Sequence, residues 1–145
     1  MIREFRGDNY FLSNYYKSNV TIYGNTYENA EAAFQAMCCA YPSDRIQFKH
    51  LSGSEARRVA KKVDFRHDYE YMKDRIMYYV VKEKFKQNGY LRKKLLETGS
   101  ESIEFGNTWR DKYWGVCDGY GRNELGKILM RVREELRQGD WSNYL

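Results

Sequence analysis

The sequence predicts a mainly α-helical α+β fold, with a few short β-strands near the N-terminus of a single domain over residues 1–145. Apolar residues recur at helical spacing through most of the chain, whereas strand-like segments are confined to its N-terminal part. The length, together with 42% hydrophobic and 31% charged residues, suits one globular domain with its own core.

The predicted strands lie near the N-terminus, in residues 2–6 and 19–28. In the second segment, apolar Val20 and Ile22 precede the dipeptide Gly24-Asn25. A glycine in the first of two turn residues is typical of a β-hairpin. We therefore expect a small β element in front of the helices.

Two helices should follow the hairpin. An apolar series with helical spacing runs from residue 29 to residue 41, and we expect Pro42 to stop it. A second helix should begin at Ser52, because Glu55 completes the S-x-x-E pattern of a capping box.

Three more helices are predicted towards the C-terminus. A long one over about residues 69–88 should end at Gly89, and a short one around residues 91–96 should end at Gly99. The last helix carries an apolar stripe between residues 125 and 136. Most of its polar residues lie opposite that stripe, as in an amphipathic helix that packs on a core.

The composition limits the class of protein. A net charge of +5 and 17% aromatic residues favour a flat, anionic partner such as a nucleotide or nucleic acid. No apolar run of about 18 residues could span a membrane, and the N-terminus lacks the apolar segment of a signal peptide. The three cysteines, an odd number, favour a reducing, cytoplasmic setting. With two histidines and no metal-ligand spacing, we expect neither a metal nor another cofactor.

Three common motifs can be set aside. "GRNELGKI" over residues 121–128 has the G-x-x-x-x-G-K spacing of a phosphate loop, but Ile128 stands where magnesium binding needs Ser or Thr. The glycines of "GYGRNELG" do not fit the dinucleotide-binding G-x-G-x-x-G pattern either. Nothing near Cys117 supports a Cys–His hydrolase.

Glu31 is the first candidate for a catalytic residue. Helical geometry places it in the first turn of the helix, at the edge of the apolar stripe, with Cys38 two turns further along the same side. A carboxylate at a helix start is favoured by the helix dipole alone. A half-buried carboxylate is also suited to acid–base chemistry, because burial raises its pKa.

The segment "WRDKYWGVCDGYGRNELG" over residues 109–126 is the second candidate. It surrounds Asp111 with aromatic residues and continues through glycines into the last helix. Aromatic planes suit a flat base, while glycine amides and a helix N-terminus suit phosphate. Trp109 and Trp114 could each simply anchor the core, but the glycines that follow them in the loop favour the wall of a binding site.

Five segments, in order, resemble the YbiA-like family, also called NADAR domains. They cover nearly the whole chain and are "FLSNYY" at 11–16, "TYENAEAAFQAM" at 26–37, "RHDYEYMKDRIM" at 66–77, "KFKQNGYLRKKLLETG" at 84–99, and residues 103–136. The last segment matches the family pattern E…D-x-x-W-G-x-G…G-x-N-x-L-G-x-x-L-M-x-V-R most densely. The chain departs from the family at Tyr69, where Trp is usual, and at Cys38, where Lys is usual.

The resemblance implies an N-glycosidase that hydrolyses a bond between ribose C1′ and nitrogen. Glu31 and Asp111 would supply the catalytic carboxylates, in an order that the sequence leaves open, and Tyr69 and Trp114 would stack on base or sugar. The other substrate-binding residues implied by the family motifs are Asn14, Gln35, Cys38, Lys73, Gly115, Gly119, Gly121 and Asn123.

Family members act on two kinds of substrate, and the basic composition favours one of them. Some remove ADP-ribose from guanine in nucleic acid or nucleotides, which the net positive charge favours here. Others act on phosphoribosylamino-pyrimidine intermediates of riboflavin synthesis. A non-catalytic module that binds ADP-ribose or NAD is a third alternative, suggested by the absence of the lysine at Cys38.

Overall fold

The structure, a computed structural model, describes all residues from Met1 to Leu145 and confirms a mainly α-helical fold with a small β element. The chain forms two compact units. The hairpin unit comprises Asn14–Asn88 and Asn143–Leu145, and the loop unit comprises Met1–Ser13 and Gly89–Ser142. None of the helices combines the length and the hydropathy that a membrane-spanning segment requires.

The hairpin unit begins with strands β1 (Lys17–Ile22) and β2 (Asn25–Asn29), which pair antiparallel. Exposed and buried residues alternate along β1, so one face packs on the core. The turn consists of Tyr23 and Gly24, with φ angles of 50° and 81°, rather than the predicted Gly24-Asn25. The predicted position was wrong by one residue. Ile22 pairs with Asn25, so Tyr23 and Gly24 are the two turn residues, and a turn of this type needs left-handed backbone at both.

The predicted strand over residues 2–6 is not present. Ile2 makes a single parallel bridge to Ile103, and Gly7–Leu12 forms a 3-10 helix. The buried residues here are Ile2 and Phe5, three positions apart, whereas a strand would bury alternate residues. The apolar residues of this segment therefore fill the loop unit's core without forming a sheet.

Three helices complete the hairpin unit: α1 (Ala30–Cys38), α2 (Gly53–Ala60) and α3 (Tyr69–Gln87). The capping box at Ser52 and Glu55 is present as predicted. Helix α1 ends before residue 41, because the backbone at Cys39 turns extended and pairs with Phe65. Pro42 then opens a 3-10 helix, Pro42–Phe48, instead of terminating α1.

The core of the hairpin unit lies where α1 packs against α2, α3 and the hairpin. Tyr27, Phe34 and Ile76 are among its buried side chains. Two lysines of α3, Lys82 and Lys84, are buried as well. The Lys84 ammonium lies 5.1 Å from the ring centroid of Phe85, and burial lowers the pKa of Lys84 to about 7.

The loop unit contains helices α4 (Gly89–Glu97) and α5 (Glu124–Arg137). Gly89 begins α4 rather than only ending α3, while Gly99 adopts the left-handed conformation expected after a helix end, with φ of 67°. Helix α5 buries the predicted stripe, which includes Leu125, Leu129 and Val132. The long connection between α4 and α5 carries Asp111 and Trp114.

Candidate functional site

Glu31 and Gln35 are the two residues of α1 that are not buried. They are one helical turn apart, and the Gln35 amide donates a hydrogen bond of 2.8 Å to Glu31 Oε2. The Glu31 backbone N–H donates to the carbonyl oxygen of Asn14 at 3.0 Å. Because every other side chain of this helix is enclosed, the carboxylate and its amide partner are the polar groups that α1 presents.

Asn29 fixes where α1 begins and thus where Glu31 lies. Its side-chain oxygen accepts a hydrogen bond of 2.8 Å from the Ala32 N–H, and its side-chain nitrogen donates to the Leu51 carbonyl oxygen. This cap places Glu31 in the first turn, where the helix dipole favours a negative charge.

Cys38 and Tyr69 lie within electrostatic range of Glu31. Burial is the main cause that raises the pKa of the Cys38 thiol, and the charges of Cys39 and Glu31 raise it further. The pKa of Tyr69 is raised to about 12, first by burial and then by the charges of Cys38, Glu70 and Glu31. Glu31, Cys38 and Tyr69 therefore lie within electrostatic range of one another, although the Cys38 side chain is fully enclosed.

Lys73 and Asn14 lie at the margins of this group. The Lys73 ammonium is 5.8 Å from the ring centroid of Tyr69 and pairs with Glu70 at 2.8 Å. The Asn14 side chain is buried and donates to the sulfur of Met77 at 3.3 Å. Lys73 thus supplies a cation beside the Tyr69 ring, while the Asn14 carbonyl supports the Glu31 backbone.

Arg66, with its partner Asp68, adjoins Cys38 and was not singled out by the sequence reasoning. The Arg66 guanidinium donates from Nε and Nη2 to the two carboxylate oxygens of Asp68, at 2.9 and 3.1 Å. The Arg66 N–H also donates to the Cys38 carbonyl oxygen at 2.9 Å. Hydrogen bonding to Asp68 is the main cause that raises the pKa of Arg66 and lowers that of Asp68. The R-x-D spacing in "RHDYEYMKDRIM" was the available signal.

In the loop unit, Asp111 organises the segment that carries it. Its Oδ1 atom accepts hydrogen bonds from the backbone N–H groups of Tyr113 and Trp114, at 3.2 and 2.9 Å. Asn107 fastens the Asp111 backbone from the other side, through its side-chain oxygen and nitrogen at 3.0 and 2.9 Å. Asp111 is half-buried, and its Oδ2 atom receives no hydrogen bond from the chain.

Trp114 follows Asp111 and is half-buried, whereas Trp109 is 58% exposed. The Trp114 ring meets the Tyr113 ring edge to face, with centroids 4.9 Å apart. The Arg122 guanidinium lies over the Tyr113 ring, 4.8 Å from its centroid. Trp114 therefore has a fixed neighbour and a partly open surface.

The loop glycines shape the backbone in two different ways. Gly115 lies where a side chain would overlap the Phe105 carbonyl oxygen, and a side chain at Gly121 would overlap the carbonyl oxygen of Gly115. Gly119 forms a tight turn with Asp118, and both residues have positive φ angles. Close approach of backbone segments explains the first two glycines, and turn conformation explains the third.

The N-terminus of α5 is occupied by the loop itself. The N–H groups of Glu124 and Leu125 donate to the carbonyl oxygens of Tyr113 and Trp114, at 3.1 and 2.9 Å. Asn123 has a left-handed backbone, and its side chain bonds the backbone at Phe105 and Ile103. These bonds hold the loop in place, and the α5 amides that we expected to face phosphate have acceptors within the protein.

The structure thus assembles the predicted residues in two groups. Glu31, Gln35, Cys38 and Tyr69 form one group in the hairpin unit, with Lys73 and Asn14 beside it. The predicted residues between positions 111 and 123 form the other group, in the loop unit. Asn107, which binds the Asp111 backbone, was not predicted, although it lies only four residues before Asp111 in the sequence. No three His, Cys, Asp or Glu side chains are placed to hold a metal ion.

Comparison with known proteins relates both groups of residues to one family. The family model for the NADAR domain matches residues 3–137. A riboflavin biosynthesis protein of Vibrio vulnificus is 37% identical over 134 residues, which cover 88% of this chain. The chain spans 36% of that longer protein.

A second set of relatives is named N-glycosidase YbiA. The protein from Shigella flexneri is 31% identical over 129 residues, which cover 86% of this chain and 80% of that protein. The NMR structure of Escherichia coli YbiA matches with a TM-score of 0.83 at 27% identity, covering 100% of this chain and 90% of that one. The family model, which spans segments of both units, and these relatives show that this chain belongs to the NADAR domain family.

Proposed function

We propose that this chain is an N-glycosidase that removes ADP-ribose from guanine in nucleic acid or nucleotides. The observation that carries the proposal is the hydrogen-bonded Glu31–Gln35 pair, whose two side chains are the half-buried ones in an otherwise buried helix. A carboxylate fixed in this way suits a reaction that develops positive charge on a sugar. The names of the YbiA relatives as N-glycosidases support the reaction class.

In the proposed reaction, the bond between C1′ and the base nitrogen breaks and its electron pair leaves with the base. The ribose ring then carries oxocarbenium charge, which a nearby carboxylate stabilises. Water adds to C1′ and gives up a proton, and the departing base nitrogen takes one. The products are ADP-ribose and the unmodified guanine, which stays attached to its own strand or nucleotide. We assign Glu31 and Asp111 to charge stabilisation and proton transfer, without fixing which residue does which.

The other predicted residues would bind the substrate. We assign stacking to Tyr69 and Trp114, since each ring is half-buried and fixed by neighbours. Lys73 would contribute positive charge beside Tyr69. The loop glycines and Asn123 would act by shaping the loop, since their surroundings leave no room for a side chain or are already hydrogen-bonded.

One observation favours a second substrate. The Vibrio vulnificus relative is named as a riboflavin biosynthesis protein, so the nitrogen–ribose bond of a phosphoribosylamino-pyrimidine is the alternative. The bond to be cleaved is of the same type, and the same carboxylates would serve. The choice between the two is a matter of substrate recognition.

The test is incubation of the chain with an oligonucleotide containing ADP-ribosylated guanine and, separately, with a phosphoribosylamino-pyrimidine, followed by mass spectrometry of the products. We expect free ADP-ribose from the oligonucleotide. Glu31→Gln should lower turnover about a hundredfold while changing substrate affinity far less. Glu4→Gln, at an exposed carboxylate, is the matched control.

Trp114→Ala should show the opposite balance, with weaker binding as its first effect, because it removes a stacking surface. Tight binding of ADP-ribose without cleavage of the nitrogen–ribose bond in either substrate would contradict the enzyme proposal. That result would identify a binding module instead.

A further inference from the structure

The hairpin turn holds an aromatic residue in an unfavourable backbone conformation. Tyr23 has a φ of 50° and is 61% exposed, so burial of its ring does not hold it there. Gly or Asn would adopt this conformation readily, whereas a bulky residue there is an outlier. Such outliers concentrate at functional sites, where the side chain itself is needed.

Arg45, from the 3-10 helix Pro42–Phe48, lies beside this ring. Its guanidinium carbon is 5.5 Å from the centroid of the Tyr23 ring. Arg45 forms no ion pair and no side-chain hydrogen bond, and its Nε atom is shielded from solvent without an acceptor. A positive charge that the protein leaves without a counter-charge therefore adjoins an exposed aromatic plane.

Arg66 connects this pair to the Glu31 group. The Arg66 N–H donates to the Cys38 carbonyl oxygen at 2.9 Å. Hydrogen bonding to Asp68 is the main cause that raises the pKa of Arg66, and the Tyr23 hydroxyl is near enough to add to it. Nε and Nη2 of Arg66 are held by Asp68, while Nη1 has no acceptor in the chain. Tyr23, Arg45 and Arg66 together, named here the turn patch, combine an open ring with two guanidinium groups at the border of the candidate site.

We propose that the turn patch binds the single strand of nucleic acid that flanks the reacting nucleotide. Tyr23 stacks on a neighbouring base, and the two arginines contact the phosphates on either side of it. Alternation of base and phosphate is the chemistry of a polynucleotide, and aromatic rings beside positive charge are how proteins bind it without sequence preference. The net charge of +5 agrees with a polyanionic partner. The inference rests on the proposed function and specifies its substrate as a polymer.

The first test measures binding alone and needs no turnover. A fluorescein-labelled, unmodified single-stranded DNA of about twelve nucleotides is titrated with the full chain, and Kd is read from fluorescence anisotropy. Tyr23→Asn and Arg45→Gln should each raise Kd about tenfold, and Arg45→Gln should also reduce the slope of log Kd against log salt by about 0.7. Tyr23→Phe keeps the ring and should stay within about twofold of the parent chain.

Lys17→Gln is the matched control, because it removes one exposed charge from the other end of the same hairpin. It should change Kd by less than about twofold, since Lys17 lies outside the turn patch. Thermal unfolding checks the fold, and Tyr23→Asn should unfold no earlier than the parent because Asn tolerates a positive φ.

The second test compares KM for ADP-ribosylated guanine within a strand and as a mononucleotide. Tyr23→Asn should raise the ratio of strand KM to mononucleotide KM about tenfold. An equal rise for both substrates would overturn the inference and assign the patch to the phosphates of ADP-ribose itself. Unchanged DNA binding in both Tyr23→Asn and Arg45→Gln would also overturn it. Failure of the parent chain to cleave either substrate would instead reject the proposed function, while the binding test would still decide the patch.

Discussion

Substitutions at Asp111 can separate a loss of catalysis from a loss of stability. Its Oδ1 atom holds the Tyr113 and Trp114 N–H groups, whereas Oδ2 has no partner in the chain. In Asp111→Asn the side-chain oxygen can keep both loop bonds, and only the charge is lost. We expect a cost of less than about 1 kcal/mol in the free energy of unfolding. Turnover should fall about a hundredfold, which corresponds to about 2.7 kcal/mol in the activation barrier.

Asp111→Ala removes both the charge and the two hydrogen bonds. At about 1 kcal/mol for each amide bond, it should lower the free energy of unfolding by about 2 kcal/mol. Its turnover should fall at least as far as that of Asp111→Asn.

Urea unfolding gives the stability of each variant, and release of ADP-ribose at saturating substrate gives kcat. If Asp111→Asn turns over within about threefold of the parent, the carboxylate takes no part in the chemistry. If Asp111→Asn is as unstable as Asp111→Ala, the loop depends on the charge of Asp111, and the loss of turnover would then be structural.

Three further predictions concern other positions. Cys38→Lys should raise kcat well above that of the parent, because it restores the family's cation near Glu31; equal kcat values would show that the change is neutral. Gly115→Ala should lower the free energy of unfolding by at least about 2 kcal/mol, as measured in urea, because its methyl group would overlap the Phe105 carbonyl oxygen. Burial lowers the pKa of Lys84 to about 7, so the unfolded chain binds more protons between about pH 7 and pH 10, and stability should rise with pH in that window. Lys84→Met should flatten the rise, and identical pH profiles in urea unfolding would contradict this reasoning.

The helices were readable from the sequence because their signals are local. The capping box at Ser52 and the amphipathic stripe of α5 act over one or two turns, and both are present. The end of α1 was not readable, because it depends on pairing of Cys39 with Phe65, a residue far away in the chain. The strand expected over residues 2–6 failed for a related reason, since its backbone bonds go to residues 102–106, far away in the chain.

The candidate site was predicted in part. Glu31 was singled out by its place at the edge of the helix stripe and Gln35 by the family motif, and the structure joins them by a hydrogen bond. The structural role of Asn123 could not be predicted from the sequence, because its partners at Ile103 and Phe105 are brought near only by the folded loop. Arg66 was overlooked although the R-x-D motif contains it, because its contact with the Cys38 backbone is seen only in the folded chain.

The hydrogen bonds between the loop and the start of α5 have a consequence for the dynamics of the loop unit. The N–H groups of Glu124 and Leu125 are tied to Tyr113 and Trp114, and Asn107 and Asn123 tie the same segment to other backbone groups. Segments bonded in this way open together with their neighbours rather than singly, so these amides should exchange with deuterium as slowly as those inside α5. Most of the conformational entropy of the Trp114 surface is then lost when the protein folds, and little is left to lose when a ligand arrives.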